Sequence, residues 1–447
     1  MAIESSVNYF VNYLKKPVFL AALICIIIFY SGFFYIPDKT KPRSLIKPEQ
    51  ITAISGTILS SPSKTGNGSY YSASFSLENA ADARRFQSSA KGRITIMLPS
   101  EIAEAYSPGK LFSQSQKARG RDRNWSQGRG GEQQAAHAFL YEAGGHCDFR
   151  GRFSNNTFYV RECTASFWPR TFRGRLRHFR ALCRLQFKRL MYGWGSGGGL
   201  LLALLCGARE YTEPETQDAF RRAGLSHILA LSGMHLSMFS AIAVFFGNRA
   251  GIRKLTFVLR IITLIGFVWF AGFSPSLVRA FICALLTIAA TIAGAKKPDL
   301  LSILCFSFLL QSALCPQDIH STAFLLSYGA LAGILLTSSL FSRFYSKFSP
   351  KPLASSLSAA TGAQTFTAPI SLKLFGSFSP IGIVSATVVS PFVTFFIYSG
   401  LVLIVLSLIF PILSKPSGIF INLQYTVITY IVKIFSNVPN FCLPGEL

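Results

Sequence analysis

Acidic residues are scarce in this chain. Its 447 residues include 19 Asp and Glu against 44 Lys and Arg, only 14% are charged, and half are apolar. This composition is that of a membrane protein. The formal net charge of +25 indicates an anionic partner, either lipid headgroups or nucleic acid, although cytoplasmic loops make many membrane proteins basic. The basic residues concentrate between Lys117 and Arg189.

Metal and redox motifs are also missing. The nine cysteines form no Cys-x-x-Cys pair and no Cys/His spacing typical of zinc. We therefore expect no cofactor. Most cysteines lie in apolar runs, but Cys147 and Cys163 flank a strand-like stretch in a polar region. If that region lies outside the cytoplasm, a disulfide between them would stabilise it by about 3 kcal/mol.

Long apolar runs dominate the rest of the chain. Met1–Lys16 has the spacing of an amphipathic helix on the membrane surface, and Val18–Ile36 predicts an uncleaved transmembrane helix. With the segment Gly224–Phe246, roughly nine crossings are expected. Pro391, Gly400 and Pro411 interrupt the run Ile381–Leu413, which predicts one broken half-helix and one full crossing there. The later runs are Leu255–Phe273, Leu277–Gly294, Leu300–Cys315, Thr322–Phe341, Ala354–Leu374, Ile381–Leu413 and Ile419–Val438.

Residues 39–169 differ in composition from these apolar runs, because short stretches of alternating apolar and polar residues lie between turn-forming residues. Such spacing predicts a small β-barrel, and an OB-like fold is one candidate. The Arg/Gly-rich stretch Gln114–Gln134 is expected to be a mobile loop or an Arg-rich surface for anions. The predicted strands are Ile51–Leu59, Ser69–Leu77, Gly92–Leu98 and Asn156–Cys163.

Residues 170–194 predict one amphipathic helix, between Thr171 and Trp194. An apolar face and a basic face are typical of a helix in the bilayer interface, whose basic side chains contact phosphates of lipid or of DNA. The apolar face carries Phe172, Leu176, Phe179, Cys183, Phe187 and Leu190, and the basic face carries Arg173, Arg177, Arg180, Arg184 and Lys188.

The segment Gly224–Phe246 is apolar but contains His227, Ser232, Gly233 and His235. These residues either join helices through hydrogen bonds or form the polar lining of a path, with a bend or unwinding at Ser232–Gly233. Metal binding is disfavoured because there is no His-Glu-x-x-His and no third ligand. Catalysis is disfavoured because the Gly-x-Ser-x-Gly elbow and an orienting Asp are missing.

Arg279 is a second anomaly, near the start of a predicted crossing. An arginine there costs a few kcal/mol unless it is paired or its head reaches the interface. Snorkelling explains it simply, and a charge that faces a pore for phosphates is the functional alternative.

The run GLSHILALSGMHLSM resembles the competence-domain signature of the ComEC family of DNA-uptake proteins. Gly207-Ala208-Arg209 resembles the family's Gly-x-Arg, and Gly272–Ile282 resembles its Gly-x-Ser-Pro-Ser-x-x-Arg-Ala stretch. Pro298–Leu304 and Phe324–Ile334 resemble the segments that follow. Order and spacing agree over about Gly195–Pro439.

The resemblance implies a polytopic α-helical membrane protein with a small extracytoplasmic OB-like β-barrel. Residues 1–38 would hold the lead-in and first transmembrane helix, residues 39–169 the barrel, residues 170–194 the interfacial helix, and residues 195–447 the channel domain. The expected location is the inner (plasma) membrane, with a cytoplasmic N-terminus and residues 39–194 outside.

The implied function is a channel for single-stranded DNA during natural transformation. Candidate channel-lining residues are His227, Ser232, Gly233, His235 and Arg279. Candidate contacts to DNA phosphate are Arg150, Arg152, Arg173, Arg177, Arg180, Arg184 and Lys188.

Family members often carry a metallo-β-lactamase-like domain that is proposed to degrade the other strand. This sequence has no His-x-His-x-Asp-His motif, so no nuclease activity is expected in the chain. Besides membrane lipid, the expected partners are a separate nuclease, a DNA receptor and a cytoplasmic helicase or pump. Two other functions stay open: a transporter or flippase of another anionic substrate, such as a phospholipid or cell-wall precursor, and a membrane-embedded hydrolase using Ser232, His227 or His235.

Overall fold

The structure is a computed structural model. It describes residues 16–30, 43–65, 69–84, 86–104, 141–154, 157–209, 211–295, 297–439 and 441–442. Residues 1–15 of the predicted amphipathic lead-in Met1–Lys16 and the whole Arg/Gly-rich stretch over residues 114–134 lie outside these residues. Two compact units are present. The β-rich unit comprises Pro37–Gly199 and Ala208–Tyr211, and the helical unit comprises Met1–Ile36, Leu200–Gly207 and Thr212–Leu447.

Strands of alternating sequence form the centre of the β-rich unit. A short helix, α2 (Ser100–Glu104), follows the strand Gln87–Pro99. The strands are β1 (Ile51–Ile58), β2 (Ser63–Lys64), β3 (Tyr70–Asp82), β4 (Gln87–Pro99), β5 (His146–Ser154) and β6 (Thr157–Phe167). Every predicted strand therefore overlaps an observed strand.

The pairings between β1, β3, β4, β6 and β5 form a closed cycle, because the last of these strands pairs with the first. β1 pairs antiparallel with both β3 and β5, while β3 pairs with β4 and β5 with β6. A parallel pairing of β4 with β6, from Thr95 opposite Thr157 to Met97 opposite Tyr159, links the two halves. Alternate residues of the strands, such as Ile54, Phe75 and Phe149, form one buried apolar core, as period-2 alternation requires.

Helix α3, Phe172–Gly193, follows the last strand in the same unit. The backbone N–H of Gly174 donates to the Thr171 side chain at 3.1 Å, which caps the helix at the predicted start. The buried side of α3 includes Ala181 and Leu185, which pack with Trp168.

The helical unit begins with α1, Pro17–Tyr30, which packs on α10 through Ala22 and Leu301. α4 is Gly195–Cys206, and its residues from Leu200 belong to this unit. The later helices are α5 (Pro214–Arg222), α6 (Ser226–Leu229), α7 (Gly233–Arg249), α8 (Arg253–Ala271), α9 (Pro275–Ile292), α10 (Leu300–Leu314), α11 (Thr322–Tyr345), α12 (Lys351–Phe375), α13 (Gly382–Ile409) and α14 (Ser414–Ser436). A two-residue pairing joins β7 (Ser377–Phe378) to β8 (Phe441–Cys442).

Within the described residues, five helices are long and apolar enough to cross a membrane. They are Lys254–Ala271, Pro275–Ile292, Thr322–Tyr345, Gly382–Ile409 and Pro411–Ser436. The other four predicted crossings differ in kind. α1 and α10 are shorter, α12 is long but less apolar, and the segment Gly224–Phe246 is interrupted.

The predicted interruption of the run Ile381–Leu413 is wrong at Pro391 and Gly400. α13 continues through Pro391 and Gly400 and ends before Pro411. Proline removes one N–H from the helix, and neighbouring hydroxyl groups can bond to the carbonyls that are left over. Here the N–H that Pro391 lacks would have bonded the Thr387 carbonyl, and the Ser390 hydroxyl donates to the carbonyl of the preceding residue, Ala386. Gly400 allows close packing and does not break the helix, since a Cβ there would lie 2.6 Å from the Leu201 side chain.

Candidate functional site

The segment Gly224–Phe246 unwinds at the predicted place. α6 ends at Leu229 and α7 begins at Gly233, and between them Ala230 (φ −84°, ψ 138°) and Ser232 (φ −133°, ψ 173°) are extended. The segment is thus two helices with a break, not one bent helix. Helix ends leave backbone groups without intrahelical partners, and inside a membrane the protein itself must supply partners. One of them is the hydroxyl of Ser276, which donates to the Leu231 carbonyl at 2.7 Å.

His235 stabilises the start of α7. Its Nδ1 accepts the backbone N–H of Ser232 at 3.2 Å and lies 3.3 Å from the Ser232 hydroxyl. The imidazole thereby takes the place of the Glu or Gln that usually closes a capping box. The residue is only 1% exposed, and its Nε2 has no hydrogen-bond partner among the described residues.

This geometry does not favour the hydrolase alternative. The Nδ1 lone pair of His235 is engaged by a backbone N–H, so it is not available to deprotonate Ser232. His227 is exposed on the short helix α6, whereas His235 is buried at the start of α7. Within the described part of the chain, no carboxylate contacts either ring, and no group of metal-ligating side chains forms.

Arg279 does not snorkel to the surface. Its side chain is 9% exposed and donates from Nη1 to the Ser327 carbonyl on α11, while the guanidinium carbon lies 5.9 Å from the Tyr328 ring centre. Gly233 lies beside it, because a Cβ on Gly233 would be 3.4 Å from Nη2 of Arg279. The predicted residues Ser232, Gly233, His235 and Arg279 therefore lie in one neighbourhood, whereas His227 is exposed on α6.

Neutral polar groups continue from Arg279 into the helix bundle. Tyr328 donates to the Gln311 side-chain oxygen at 3.0 Å, and the Gln311 amide donates to the Pro275 carbonyl at 3.1 Å. The hydroxyl groups of Ser307 and Tyr328 are 3.3 Å apart. Such networks join helices inside a membrane. None of these partners carries a negative charge. The guanidinium of Arg279 is therefore hydrogen-bonded, but its positive charge is not neutralised.

A cleft of about 430 Å³ lies beside this neighbourhood, between α7, α8 and α9. It contains a residue that the sequence analysis missed, Arg260, whose Nε donates to the Ser240 hydroxyl at 2.7 Å. The available signal was a single arginine inside the apolar run Leu255–Phe273. Most other lining residues are small or carry hydroxyl groups, namely Gly233, Ser237, Ser240, Ala241, Ala280 and Ala284.

Carboxylates are almost absent from this part of the sequence. No Asp or Glu occurs in residues 219–298 or 319–445, so only Asp299 and Asp318 lie between them. Asp299 accepts hydrogen bonds from Lys16 and from Ser302 at the start of α10. The helices that form the cleft, α7 to α9, therefore carry arginines but no acidic residue.

The basic face of α3 behaves differently from its prediction. Arg184 and Lys188, predicted to contact phosphate, are buried and share the carboxylate of Glu142. Lys188 Nζ lies 2.8 Å from Glu142 Oε1, and Arg184 Nε lies 3.7 Å from Oε2, which also accepts from Ser61. These two cations hold α3 against the segment that precedes β5, and they are not available to phosphate in this structure.

The other basic candidates are nearer the surface. Arg173 and Arg177 are exposed and Arg180 is half-buried on α3, with the Arg177 stem against Gly144. Arg150 and Arg152 are exposed on β5.

Their cross-strand neighbours distinguish Arg150 from Arg152. Arg150 is opposite Glu162, whereas Arg152 is opposite Tyr159, whose ring meets Tyr70 edge-on at 5.8 Å. The arginine and the two tyrosines offer charge and ring surface together, as single-stranded nucleic acid requires.

Cys147 and Cys163 are free thiols on the neighbouring strands β5 and β6. The Cys147 thiol is buried, and its hydrogen bond to Cys163 together with its burial raises its pKa. The two sulfurs are thus adjacent, and the disulfide stays a prediction for an oxidising compartment.

Apolar helices that could span a membrane, with arginines among them, define a multi-pass membrane protein. A family model described as "Competence protein" matches residues 204–444, which is more than half of the chain. The chain belongs to this family, the ComEC family that its motifs resemble.

Two curated relatives each match just over half of the chain. "ComE operon protein 3" of Bacillus subtilis is 28% identical over 242 residues, which cover 54% of this chain and 30% of the relative. An "Uncharacterized protein" of Aquifex aeolicus is 28% identical over 241 residues, which cover 53% of this chain and 54% of the relative. The chain thus matches less than a third of one relative and about half of the other. No solved structure matches it.

Proposed function

We propose that the helical unit carries single-stranded DNA across the membrane during DNA uptake. The observation that carries this proposal is the cleft between α7, α8 and α9, in which Arg260 is partnered by a hydroxyl and no acidic residue is present on the three helices. Membership of the competence family supplies the cargo. His235, Ser232 and Gly233 would fix the helix break beside the cleft, and Arg279 would add charge.

Uncancelled positive charge is what a strand of phosphates requires. Pores for anions and phosphates are lined by arginine and lysine. A carboxylate near Arg260 would cancel its field, whereas the Ser240 hydroxyl orients the guanidinium and leaves its charge effective. The small side chains of Ala241, Ala280 and Ala284 leave room beside it. The Ser240 hydroxyl can be exchanged for a phosphate oxygen without leaving the half-buried guanidinium of Arg260 unpartnered.

For the β-rich unit we propose an OB-like barrel outside the cytoplasm that presents DNA to the helical unit. The cycle of pairings through β1, β3, β4, β6 and β5 supports a closed barrel. Arg152 with Tyr159 and Tyr70 supports contact with a single strand. A separate nuclease, a DNA receptor and a cytoplasmic helicase or pump would complete uptake, in the inner membrane with a cytoplasmic N-terminus.

The test replaces Arg260 by Gln in the organism that encodes the chain. Loss of a hydrogen bond to a charged group costs about 1.5–3 kcal/mol, so entry of labelled DNA into the cytoplasm should fall roughly 10- to 100-fold. Arg260→Lys keeps the charge and should retain more uptake than Gln. Arg249→Gln, which removes an exposed arginine at the end of α7, is the matched control.

Membrane levels of each variant are measured by immunoblot. Normal uptake by Arg260→Gln at a normal level would refute the role of the cleft. The flippase alternative would instead be supported by two results together. The purified chain would scramble labelled phospholipid in vesicles, and Arg260→Gln would lose that activity but keep DNA entry.

A further inference from the structure

A second cavity lies in the β-rich unit, where the end of β6 meets the first turns of α3. It has a volume of about 400 Å³ and is lined by Trp168, Pro169, Arg170, Arg175 and His178. The Trp168 and His178 rings are stacked, with centres 5.0 Å apart and an angle of 21° between their planes. This stack fixes one wall of the cavity, and Trp168 is held in turn by its packing with Ala181 and Leu185 on α3.

The chemistry of the lining points to an anion. Arg170 and Arg175 are exposed, and neither forms an ion pair with any residue in the described ranges. The lining contains no carboxylate. Guanidinium groups bind phosphate oxygens in pairs and stay charged at any physiological pH. The cavity therefore suits a phosphate group between two arginines and an aromatic wall.

An exposed apolar stripe on α3 adjoins the cavity. Phe172 is 75% exposed, Phe179 is 58% exposed, and Leu176 lies between them on the same side of the helix. Arg175 is three residues after Phe172 and four before Phe179, so its side chain neighbours both. Exposure of two phenylalanine side chains to water is unfavourable, and insertion into the acyl boundary of a bilayer would bury them.

We propose that this cavity binds the phosphate headgroup of an anionic phospholipid while Phe172, Leu176 and Phe179 insert into the acyl boundary. Tryptophan and arginine are common at the headgroup level of membranes, where Trp168, Arg170 and Arg175 would then lie. A DNA phosphate would satisfy the arginines equally well but would leave the apolar stripe in water. The site is separate from the cleft at Arg260 and does not rest on the proposed function.

The test measures lipid bound to the full chain by native mass spectrometry. The detergent-purified chain is titrated with phosphatidylglycerol, and phosphatidylcholine gives the baseline for a lipid without net charge. Each arginine near a headgroup contributes about 1 kcal/mol, so Arg170→Gln with Arg175→Gln should weaken phosphatidylglycerol binding roughly 30-fold. The phosphatidylcholine baseline should change little.

The matched control is Arg173→Gln with Arg177→Gln. It removes the same charge, from two residues of α3 that do not line the cavity, and Gln keeps the aliphatic carbons with which Arg177 contacts Gly144. The control should lose less than threefold. Equal losses in the two double variants would show only a diffuse basic surface and would refute the cavity.

Two further outcomes would also overturn the proposal. One is unchanged phosphatidylglycerol binding by the cavity variant. The other is loss of oligothymidine binding with lipid binding intact, which would assign the arginines to DNA. Phe172→Ser with Phe179→Ser provides an independent check, since it leaves the arginines in place and should lower partition of the chain's β-rich unit into the interface, measured as protection of α3 from protease in nanodiscs.

Discussion

The two units give their buried and half-buried cations opposite kinds of partner. In the β-rich unit, Arg184 and Lys188 share the carboxylate of Glu142, which also accepts from Ser61. In the helical unit, Arg279 and Arg260 contact a backbone carbonyl, an aromatic ring and a hydroxyl. The first arrangement cancels charge and fastens a helix. The second keeps the charge and only orients it.

A cation that is buried loses its hydration, and the two units replace that hydration with different partners. A buried cation is costly unless it is paired, and a carboxylate offers the strongest partner. The helices α7 to α9 nevertheless carry no Asp or Glu. An arrangement that bears the cost of a buried arginine without cancelling it suits a function in which the positive charge itself acts on a passing anion.

The largest expected effect comes from filling the space beside Arg279. A Cβ on Gly233 would lie 3.3 Å from the Ala280 Cβ and 3.4 Å from Nη2 of Arg279. Gly233→Val adds two more methyl groups there, so it should displace α7 from α9 and shift the uncancelled guanidinium. We expect DNA uptake to fall at least about 100-fold, because small misplacements of a site cost that much.

The matched control for this change is Gly266→Val. Gly266 also lies in a helix, α8, but a Cβ there would meet nothing within 4 Å. Uptake by this variant should stay within about threefold of normal. If both valines abolish uptake at normal membrane levels, helix propensity and not the neighbourhood of Arg279 explains the loss.

A smaller effect is expected when the carboxylate of the β-rich unit is removed. Glu142→Gln leaves Arg184 and Lys188 buried without a counter-charge, and breaking a buried pair in this way costs about 3–5 kcal/mol. The free energy of unfolding of the unit, followed by denaturant titration of the full chain, should fall by this amount. Glu162→Gln, an exposed change on β6, should alter it by less than about 0.5 kcal/mol.

The pH dependence gives the same comparison a second test. Burial alone would raise the pKa of Glu142, but Lys188 and Arg184, with hydrogen bonds from Lys188 and Ser61, lower it from 4.5 to about 2. A lowered carboxyl pKa stabilises the folded state above the unfolded value, and this stabilisation is lost as pH falls from 4.5 towards 2. Its size is about 3 kcal/mol, and Glu142→Gln should lack the dependence. An equal dependence in the variant would show that other carboxyl groups cause it.

Local patterns predicted α3 and the strands because their causes are local. Thr171 caps α3 at the predicted start, and alternation along β1 or β4 places every second side chain in the core. The inward turn of Arg184 and Lys188 has a distant cause, since Glu142 lies 46 residues before Lys188. Helical periodicity shows which residues share a face, but it does not show what covers that face.

The candidate site in the helical unit was predictable only in part. Ser232–Gly233 marked the break correctly, because glycine and serine weaken a helix locally. Whether the chain bends or unwinds there depends on Ser276 and His235, which bond to the freed backbone groups. Arg260 escaped notice because one arginine in an apolar run does not reveal the small residues of α7 and α9 that surround it.

The smallest expected effect applies the same comparison to two arginines of one strand. Arg152 is opposite Tyr159, and Arg150 is opposite Glu162. If carboxylate neighbours cancel a cation, only Arg152 should contribute to phosphate binding. Each lost contact with single-stranded DNA reduces the slope of log K against log salt by about 0.7. Arg152→Gln should show this reduction for fluorescent oligothymidine and the full chain in nanodiscs of neutral lipid. Arg150→Gln, the matched change two residues earlier, should leave the slope within error if the Glu162 carboxylate on the opposite strand offsets the charge of Arg150 at a bound phosphate. Equal slopes for the two variants would show that the cross-strand carboxylate does not decide which cation binds DNA.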